Sequence, residues 1–183
     1  MSRIKLLNIE IDNLTFDEAL SEIDRLVQKR VPSYVVTPNV DHMVKLEKDP
    51  LFQEIYKHAD LVLTDGTPLL WIAKLKGRPI KEKVSGSDLF PAVCKLAAER
   101  GYRLFLLGGR EGVAEKAVRN LEKEYPSIQI SGTYSPPFGF EKDPQEVAKI
   151  IEKVRAATPD ILFVCLGAPK QEKFIYKYRN ELG

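Results

Sequence analysis

Asp65 is the residue on which chemistry in this chain would turn. It follows the apolar run Leu61-Val62-Leu63 and Thr64, and it precedes Gly66. Its carboxylate can take a proton from a hydroxyl, or it can cap the next helix by accepting backbone N–H bonds. Three other apolar runs end in comparable polar knots: Tyr34-Val35-Val36 into Thr37-Pro38-Asn39, Leu104 to Leu107 into Gly108-Gly109, and Ile161 to Leu166 into Gly167-Ala168-Pro169-Lys170-Gln171. In an open parallel sheet all strand C-terminal ends lie along one edge, and ligands bind there. The four knots are therefore expected to converge on one cleft. Its inventory of one carboxylate, amides, a hydroxyl, a lysine and glycine-exposed backbone N–H groups suits an anionic ligand and a single base.

Each knot also has a plain structural reading. Gly108-Gly109-Arg110-Glu111-Gly112 can present N–H groups to phosphate or simply turn a strand into a helix. It is not G-x-G-x-x-G, and the following strand ends Ile130-Ser131-Gly132-Thr133-Tyr134 without the acidic residue of a dinucleotide site. Asn39 can cap the helix behind it. Lys170 opens a helix, where its charge opposes the dipole unless an anion is close, while Glu172 suits the dipole and reads as structural. Arg78, Lys81 and Lys83 form a basic loop leading to another helix start, Ser85-Gly86-Ser87-Asp88. Phe138 and Phe140 can stack on a base or sugar, or pack in the core.

These knots need strands before them and helices after them, and the pattern supplies both. Ile4, Leu6, Ile9 and Ile11 suggest an edge strand or hairpin. Thr15-Phe16-Asp17-Glu18 is a capping box ahead of an amphipathic helix. A helix from about Asp41 breaks at Asp49-Pro50 and resumes through His58. Leu69 to Leu75 reads as a buried helix, Leu89 to Arg100 as a helix closed by Gly101, and Gly112 to Tyr125 as another. Ile128 to Gly132 is a strand, Tyr134 to Phe140 an aromatic loop, and Asp143-Pro144-Gln145-Glu146 starts a helix to about Ala157. A final helix begins near Pro169. Strand and helix alternate, which implies an α/β fold: a parallel-rich sheet with helices on both faces, a Rossmann-like three-layer sandwich. One domain spanning 1–183 is expected.

Composition narrows the function classes. With 44% hydrophobic and 30% charged residues and a formal charge of +2, the chain matches a soluble globular protein without the basic stripe of a nucleic-acid binder. Cys94 and Cys165 read as buried free thiols, and His42 and His58 lack metal-ligand spacing, so no metal and no cofactor are expected. The start lacks a signal-peptide core and nothing approaches a membrane span, so a cytoplasmic protein is expected.

Taken together, Thr37-Pro38-Asn39, Asp65-Gly66, Val84-Ser85-Gly86-Ser87-Asp88-Leu89, Leu107-Gly108 and Leu166-Gly167-Ala168-Pro169-Lys170-Gln171-Glu172 resemble the WecG/TagA/CpsF family of bacterial glycosyltransferases. The resemblance implies an inverting, metal-independent enzyme that moves a sugar from a UDP-sugar to a saccharide on a polyprenyl diphosphate, for wall teichoic acid, enterobacterial common antigen or exopolysaccharide. It places the general base at Asp65 and the sugar and diphosphate pocket at Thr37, Asn39 and Gln171. Lys83, Ser85, Gly86, Gly108, Gly109, Gly167 and Lys170 complete the expected binding set. Lys83 stands where the family commonly has Arg, and Asp65-Gly66-Thr67-Pro68 replaces a more glycine-rich turn. The family pattern continues past Gly183 with a basic, membrane-associating tail, so a shortened chain is expected, peripheral at the inner face of the membrane when complete. The helix from Ala168 to Gly183 sets Lys170, Lys173, Lys177 and Arg179 among Phe174, Ile175, Tyr176 and Tyr178, a pattern suited to an anionic membrane surface. Homo-oligomerisation stays open. The alternatives are a non-catalytic nucleotide-binding sensor and, disfavoured by the missing acidic residue, a nicotinamide-dependent oxidoreductase.

Overall fold

The computed structural model describes residues 3–183, and the chain divides into two compact units, residues 1–92 and 93–183. The first begins with a hairpin, β1 (Arg3–Leu6) and β2 (Ile9–Asp12), in which Ile4 faces Ile11. Helix α1 (Phe16–Gln28) carries the expected capping box: Thr15 Oγ1 accepts the Glu18 N–H at 3.3 Å, and Glu18 accepts the Thr15 N–H at 2.7 Å. Strand β3 (Val35–Val36) pairs in parallel with β4 (Leu61–Val62), and between them run α2 (Val40–Lys48) and α3 (Pro50–Lys57), divided at Asp49-Pro50. Helix α4 (Thr67–Leu75) follows β4. The core holds Leu6, Ile11, Leu46, Phe52, Ile55 and Leu63. Asp12 ties the hairpin to β4, its buried carboxylate accepting the Val62 N–H at 2.9 Å and pairing with Arg3 Nε at 3.0 Å.

Helix α5 (Gly86–Arg100) leads from the first unit into the second. The second unit is a parallel sheet of order β6-β5-β7, with β5 (Arg103–Gly108) central, flanked by β6 (Gln129–Tyr134) and β7 (Ile161–Cys165). A central parallel strand is covered on both faces and therefore reads as an unbroken apolar run, as Leu104 to Leu107 does. Helices α6 (Val113–Glu124), α7 (Pro144–Ala157) and α8 (Lys170–Leu182) complete it. Phe105, Leu107, Phe140, Val147, Ile150, Val154, Phe174 and Leu182 form its core.

One device recurs in both units. Asp60, just before β4, donates its N–H to the Tyr34 carbonyl at 3.1 Å and accepts the Tyr34 N–H on its side chain at 3.0 Å. Asp160, just before β7, does the same to Arg103, at 2.9 and 2.8 Å. Each aspartate fixes the register at the entry of a parallel pair.

The parallel-rich α/β expectation holds, with three corrections of detail. Helix α4 buries only Leu69 and Ala73, while Trp71 is 64% and Leu75 87% exposed, because the helix is apolar all round and only one side meets the core. The apolar side of α8 does not face outward: Phe174 and Leu182 lie in the core, with Tyr178 packed against it. Cys165 is exposed at the end of β7, although Cys94 is buried as expected.

Candidate active site

In the first unit the knots after β3 and β4 are joined by backbone bonds that continue beyond the two-residue strands. Leu63 N–H donates to Val36 O at 2.9 Å, Asp65 N–H to Pro38 O at 2.9 Å, and Val84 N–H to Thr64 O at 2.8 Å. Three chain segments are thereby brought side by side at the strand C-terminal ends. Asp65, half-buried, accepts the N–H of Gly86. A Cβ on Gly86 would stand 3.1 Å from Thr37 Oγ1, so glycine lets the start of α5 approach the Thr37 hydroxyl. Thr37, Asp65 and Gly86 are thus brought together, and Lys83, next to Val84, acts on Asp65 through its charge.

The neighbouring polar groups are anchored to one another. Ser85 Oγ accepts the Asp88 N–H at 3.2 Å and donates to Asp88 Oδ2 at 2.6 Å, a reciprocal cap at the start of α5. Lys83 Nζ lies 2.9 Å from Asp88 Oδ2. Asn39 caps α2, accepting the His42 N–H at 3.2 Å while its own N–H donates to His42 Nδ1 at 3.3 Å. Ser85 and Asn39 therefore act first on their own helices.

Electrostatics separates the two carboxyls. Burial pushes the Asp65 carboxyl above its ordinary value, and the charge of Asp88 adds to this, while the Gly86 N–H, Lys83 and His42 pull the other way. Asp88 is held below its ordinary value, chiefly by the Ser85 hydroxyl and then by Lys83. Two acids whose environments drive them apart commonly take different roles: here Asp65 is the one raised, and Asp88 is the lowered one that pairs with Lys83. Sequence reasoning missed Asp88 and His42 as members of this group. The signal was present, since each stands three places after a capping residue, where a side chain folds back on the cap.

In the second unit, Gly108-Gly109 follows β5 and Gly167 to Gln171 follows β7. Gly109 N–H donates to Cys165 O at 3.0 Å. Gly108 has φ +110°, and a Cβ there would collide with the Cys165 backbone, so this glycine is required by the approach of β5 to β7 whatever else it does. Gln171 folds onto its own turn, its Oε1 accepting the Gly167 N–H at 3.1 Å and its Nε2 donating to Glu172 Oε1 at 3.0 Å. Lys170 Nζ meets Glu141 Oε2 at 3.1 Å and lies 5.4 and 5.5 Å from the ring centres of Phe138 and Phe140. The anion that its place on the dipole demands is therefore Glu141. The two phenylalanines divide the readings left open for them: Phe140 is core and Phe138 is fully exposed.

Helix starts differ in a way that bears on ligands. Helices α1, α2, α3 and α7 have side-chain caps, from Thr15, Asn39, Asp49 and Asp143. Helices α4, α6 and α8, which follow β4, β5 and β7, begin at Gly66, Gly112 and Pro169 with no side-chain cap bond. Their positive dipole ends carry no capping side chain, while in those first turns the N–H groups of Leu69, Val113 and Gln171 donate to the carbonyls of Gly66, Arg110 and Gly167. Among the described residues no three His, Cys, Asp or Glu side chains are grouped to hold a metal ion.

The chain is 34% identical over 148 residues to the N-acetylglucosaminyldiphosphoundecaprenol N-acetyl-beta-D-mannosaminyltransferase of Bacillus spizizenii, covering 81% of this chain and 55% of that protein. Proteins of the same name from Bacillus subtilis and Staphylococcus aureus are 30% and 23% identical, over 84% and 98% of this chain and 58% and 69% of theirs. The chain thus spans a little over half the length of the two Bacillus relatives. The profile of the glycosyl transferase WecG/TagA/CpsF family matches residues 4–183, from the first hairpin to the end of α8, and the chain belongs to that family.

Proposed function

We propose that this chain carries the chemistry of an inverting glycosyltransferase, moving a sugar from a UDP-sugar to a saccharide on a polyprenyl diphosphate in bacterial cell-wall or exopolysaccharide synthesis. The relatives' names suggest N-acetylmannosamine as the donor sugar and N-acetylglucosaminyl-diphosphoundecaprenol as the acceptor. The observation that carries the reading is Asp65: a half-buried carboxyl at a strand end, raised above its ordinary value by burial and oriented by the Gly86 N–H.

Asp65 takes the proton of the acceptor hydroxyl as that oxygen bonds to the anomeric carbon. The bond from the anomeric carbon to the UDP oxygen breaks on the opposite face, and its electron pair leaves with the diphosphate. A single displacement inverts the centre. The charge growing on UDP is met by preorganised donors, and beside Asp65 that donor is Lys83. Thr37 and Gly86 shape the space beside the base, and Asn39 and Ser85 keep the surrounding turns in place; within the second unit Lys170 and Gln171 hold the turn after β7. No Asp-x-Asp occurs in the chain, and in this reading the lysine does the work of a divalent ion. A prenyl-linked acceptor brings the protein to the inner face of the membrane as a peripheral protein, and among the described residues no helix is long and apolar enough to cross one.

The test is Asp65→Asn, which keeps shape but cannot accept the proton. Turnover with UDP-N-acetylmannosamine and the lipid-linked acceptor should fall by about 10²–10⁴, with UDP affinity by calorimetry within a few fold. Near-normal turnover would remove Asp65 from the role.

A further inference from the structure

Helix α4 presents its apolar residues on two opposite sides. Leu69 and Ala73, one turn apart, are buried, while Trp71 and Leu75, also one turn apart, are 64% and 87% exposed. Residues i and i+4 share a helix face, so the indole and the leucine form one outward apolar strip. The chain then continues exposed from Lys74 to Pro79. From Gly66 to Lys81 every charged residue is basic (Lys74, Lys76, Arg78 and Lys81), with no Asp or Glu. Lys81 is spoken for by Glu18 at 2.8 Å. Arg78 is braced by a bond from its guanidinium to Lys5 O at 3.0 Å, which fixes the loop against β1.

We infer that this face, Trp71 and Leu75 with Lys74, Lys76 and Arg78, seats on an anionic lipid surface. Tryptophan concentrates at membrane–water interfaces because its ring is apolar at one end and hydrogen-bonding at the other. A leucine beside it enters the acyl boundary, and the lysines and arginine meet lipid phosphates. Neither signal alone holds a protein at a bilayer, but an apolar wedge with a basic cluster supplies two. Helix α8 is the other basic, aromatic helix, and its apolar side is already occupied by the core, which leaves α4 as the better-suited face. The inference stands on exposure and charge; it draws on the proposed function only for its use, since a prenyl-linked acceptor lies at such a surface.

Trp71 is the only tryptophan in the chain, so its fluorescence reports this face directly. The chain is titrated with phosphatidylglycerol–phosphatidylcholine vesicles and with phosphatidylcholine alone, and pelleting is followed in parallel. Trp71 emission should shift to the blue with the anionic vesicles only, and salt should reverse it. Leu75→Ser should weaken pelleting, and Lys74→Glu with Lys76→Glu should lower it at least about tenfold near 0.1 M salt. These side chains are exposed, so the variants should keep the parent's circular dichroism and UDP affinity. Pelleting without a Trp71 shift would place the contact elsewhere and overturn the inference. So would a shift that follows protein concentration without vesicles, with a doubled mass in sedimentation, because a second copy would then cover the face. No shift, with variants pelleting like the parent, also overturns it. None of these readouts involves Asp65 or turnover, so the inference and the proposed function can fail separately.

Discussion

Gly108→Ala separates the two readings of the turn after β5. The substitution places a side chain at φ +110°, which costs an L-residue about 1–2 kcal/mol. Its Cβ would stand 2.6 Å from the Cys165 carbonyl carbon and 3.2 Å from its Cα, where carbon contacts normally lie at about 3.5–4.0 Å. The obstacle is backbone and cannot swing aside, so β5 and β7 must part at their C-terminal ends. Overpacking of this kind costs about 1–3 kcal/mol, and the Gly109 N–H to Cys165 O bond goes with it at about 1 kcal/mol. The expected loss is about 4 kcal/mol, or about 2 M in urea midpoint at a slope near 2 kcal/mol/M. Gly109→Ala is the control: it too has a positive φ, but its Cβ would meet only Val113, at 3.8 Å, so its loss should be about 1 kcal/mol. Urea unfolding followed by far-ultraviolet circular dichroism measures both. A Gly108→Ala protein within about 0.5 kcal/mol of the parent that has nonetheless lost UDP affinity would refute the argument and show that the glycine serves the ligand alone.

Asp65→Asn should leave the unfolding midpoint at pH 7 no lower than the parent's. The folded state raises this carboxyl, so it binds the proton more tightly than the unfolded chain does, and stability declines as pH rises from about 4, the unfolded value, through the folded one. A clearly destabilised Asn variant at pH 7 would contradict that sign. Lys83→Met removes a charge that pulls Asp65 down, so the acid limb of the pH–turnover profile should move to higher pH; an unmoved limb would separate Lys83 from the base. Gln171→Ala unties Gly167 from its turn, and with a bond worth about 1 kcal/mol UDP affinity should fall by roughly fivefold, whereas unchanged calorimetry would strike that loop from the site.

What could be read from the sequence was what short-range bonds decide. Thr15 with Glu18, and Asp143 ahead of Pro144, announce their helices because cap and capped residue lie within four positions. The strand ends carrying Asp65, Gly108 and Gly167 were visible as apolar runs stopped by polar turns. What depended on distant partners was less legible. The helix dipole argument rightly required an anion for Lys170, but the anion, Glu141, sits in a short 3-10 helix, Phe140–Lys142, after β6. The strip from Leu69 to Leu75 is apolar on every side, and nothing local says which side has a partner. The apolar side of α8 was visible, but its destination among Phe140, Val147 and Ile150 was not. His42 reads in the sequence only as a histidine without metal-ligand spacing and Asp88 only as part of a helix start, because only the converging backbone segments reveal their electrostatic influence on Asp65.

The precision of the Asp65 group comes from outside regular secondary structure. Strands β3 and β4 contribute two residue pairs, too few to fix a carboxylate beyond their ends. The alignment is carried instead by bonds from Leu63 to Val36, Asp65 to Pro38 and Val84 to Thr64, all made by main-chain groups past or at the limit of the strands. Asp60 holds the entry to this pair and Asp12 holds Val62 from the side. A frame made of backbone tolerates side-chain change in the turn itself while the carboxylate stays against the Gly86 N–H. Lys83 then acts on Asp65 from a fixed place because Asp88 holds its ammonium and Ser85 holds Asp88. Asp65 is raised chiefly by burial, and the groups that tune it, the Gly86 N–H, Lys83 and Asp88, sit at or just before the start of α5, where Asp88 is itself lowered by Ser85 and Lys83.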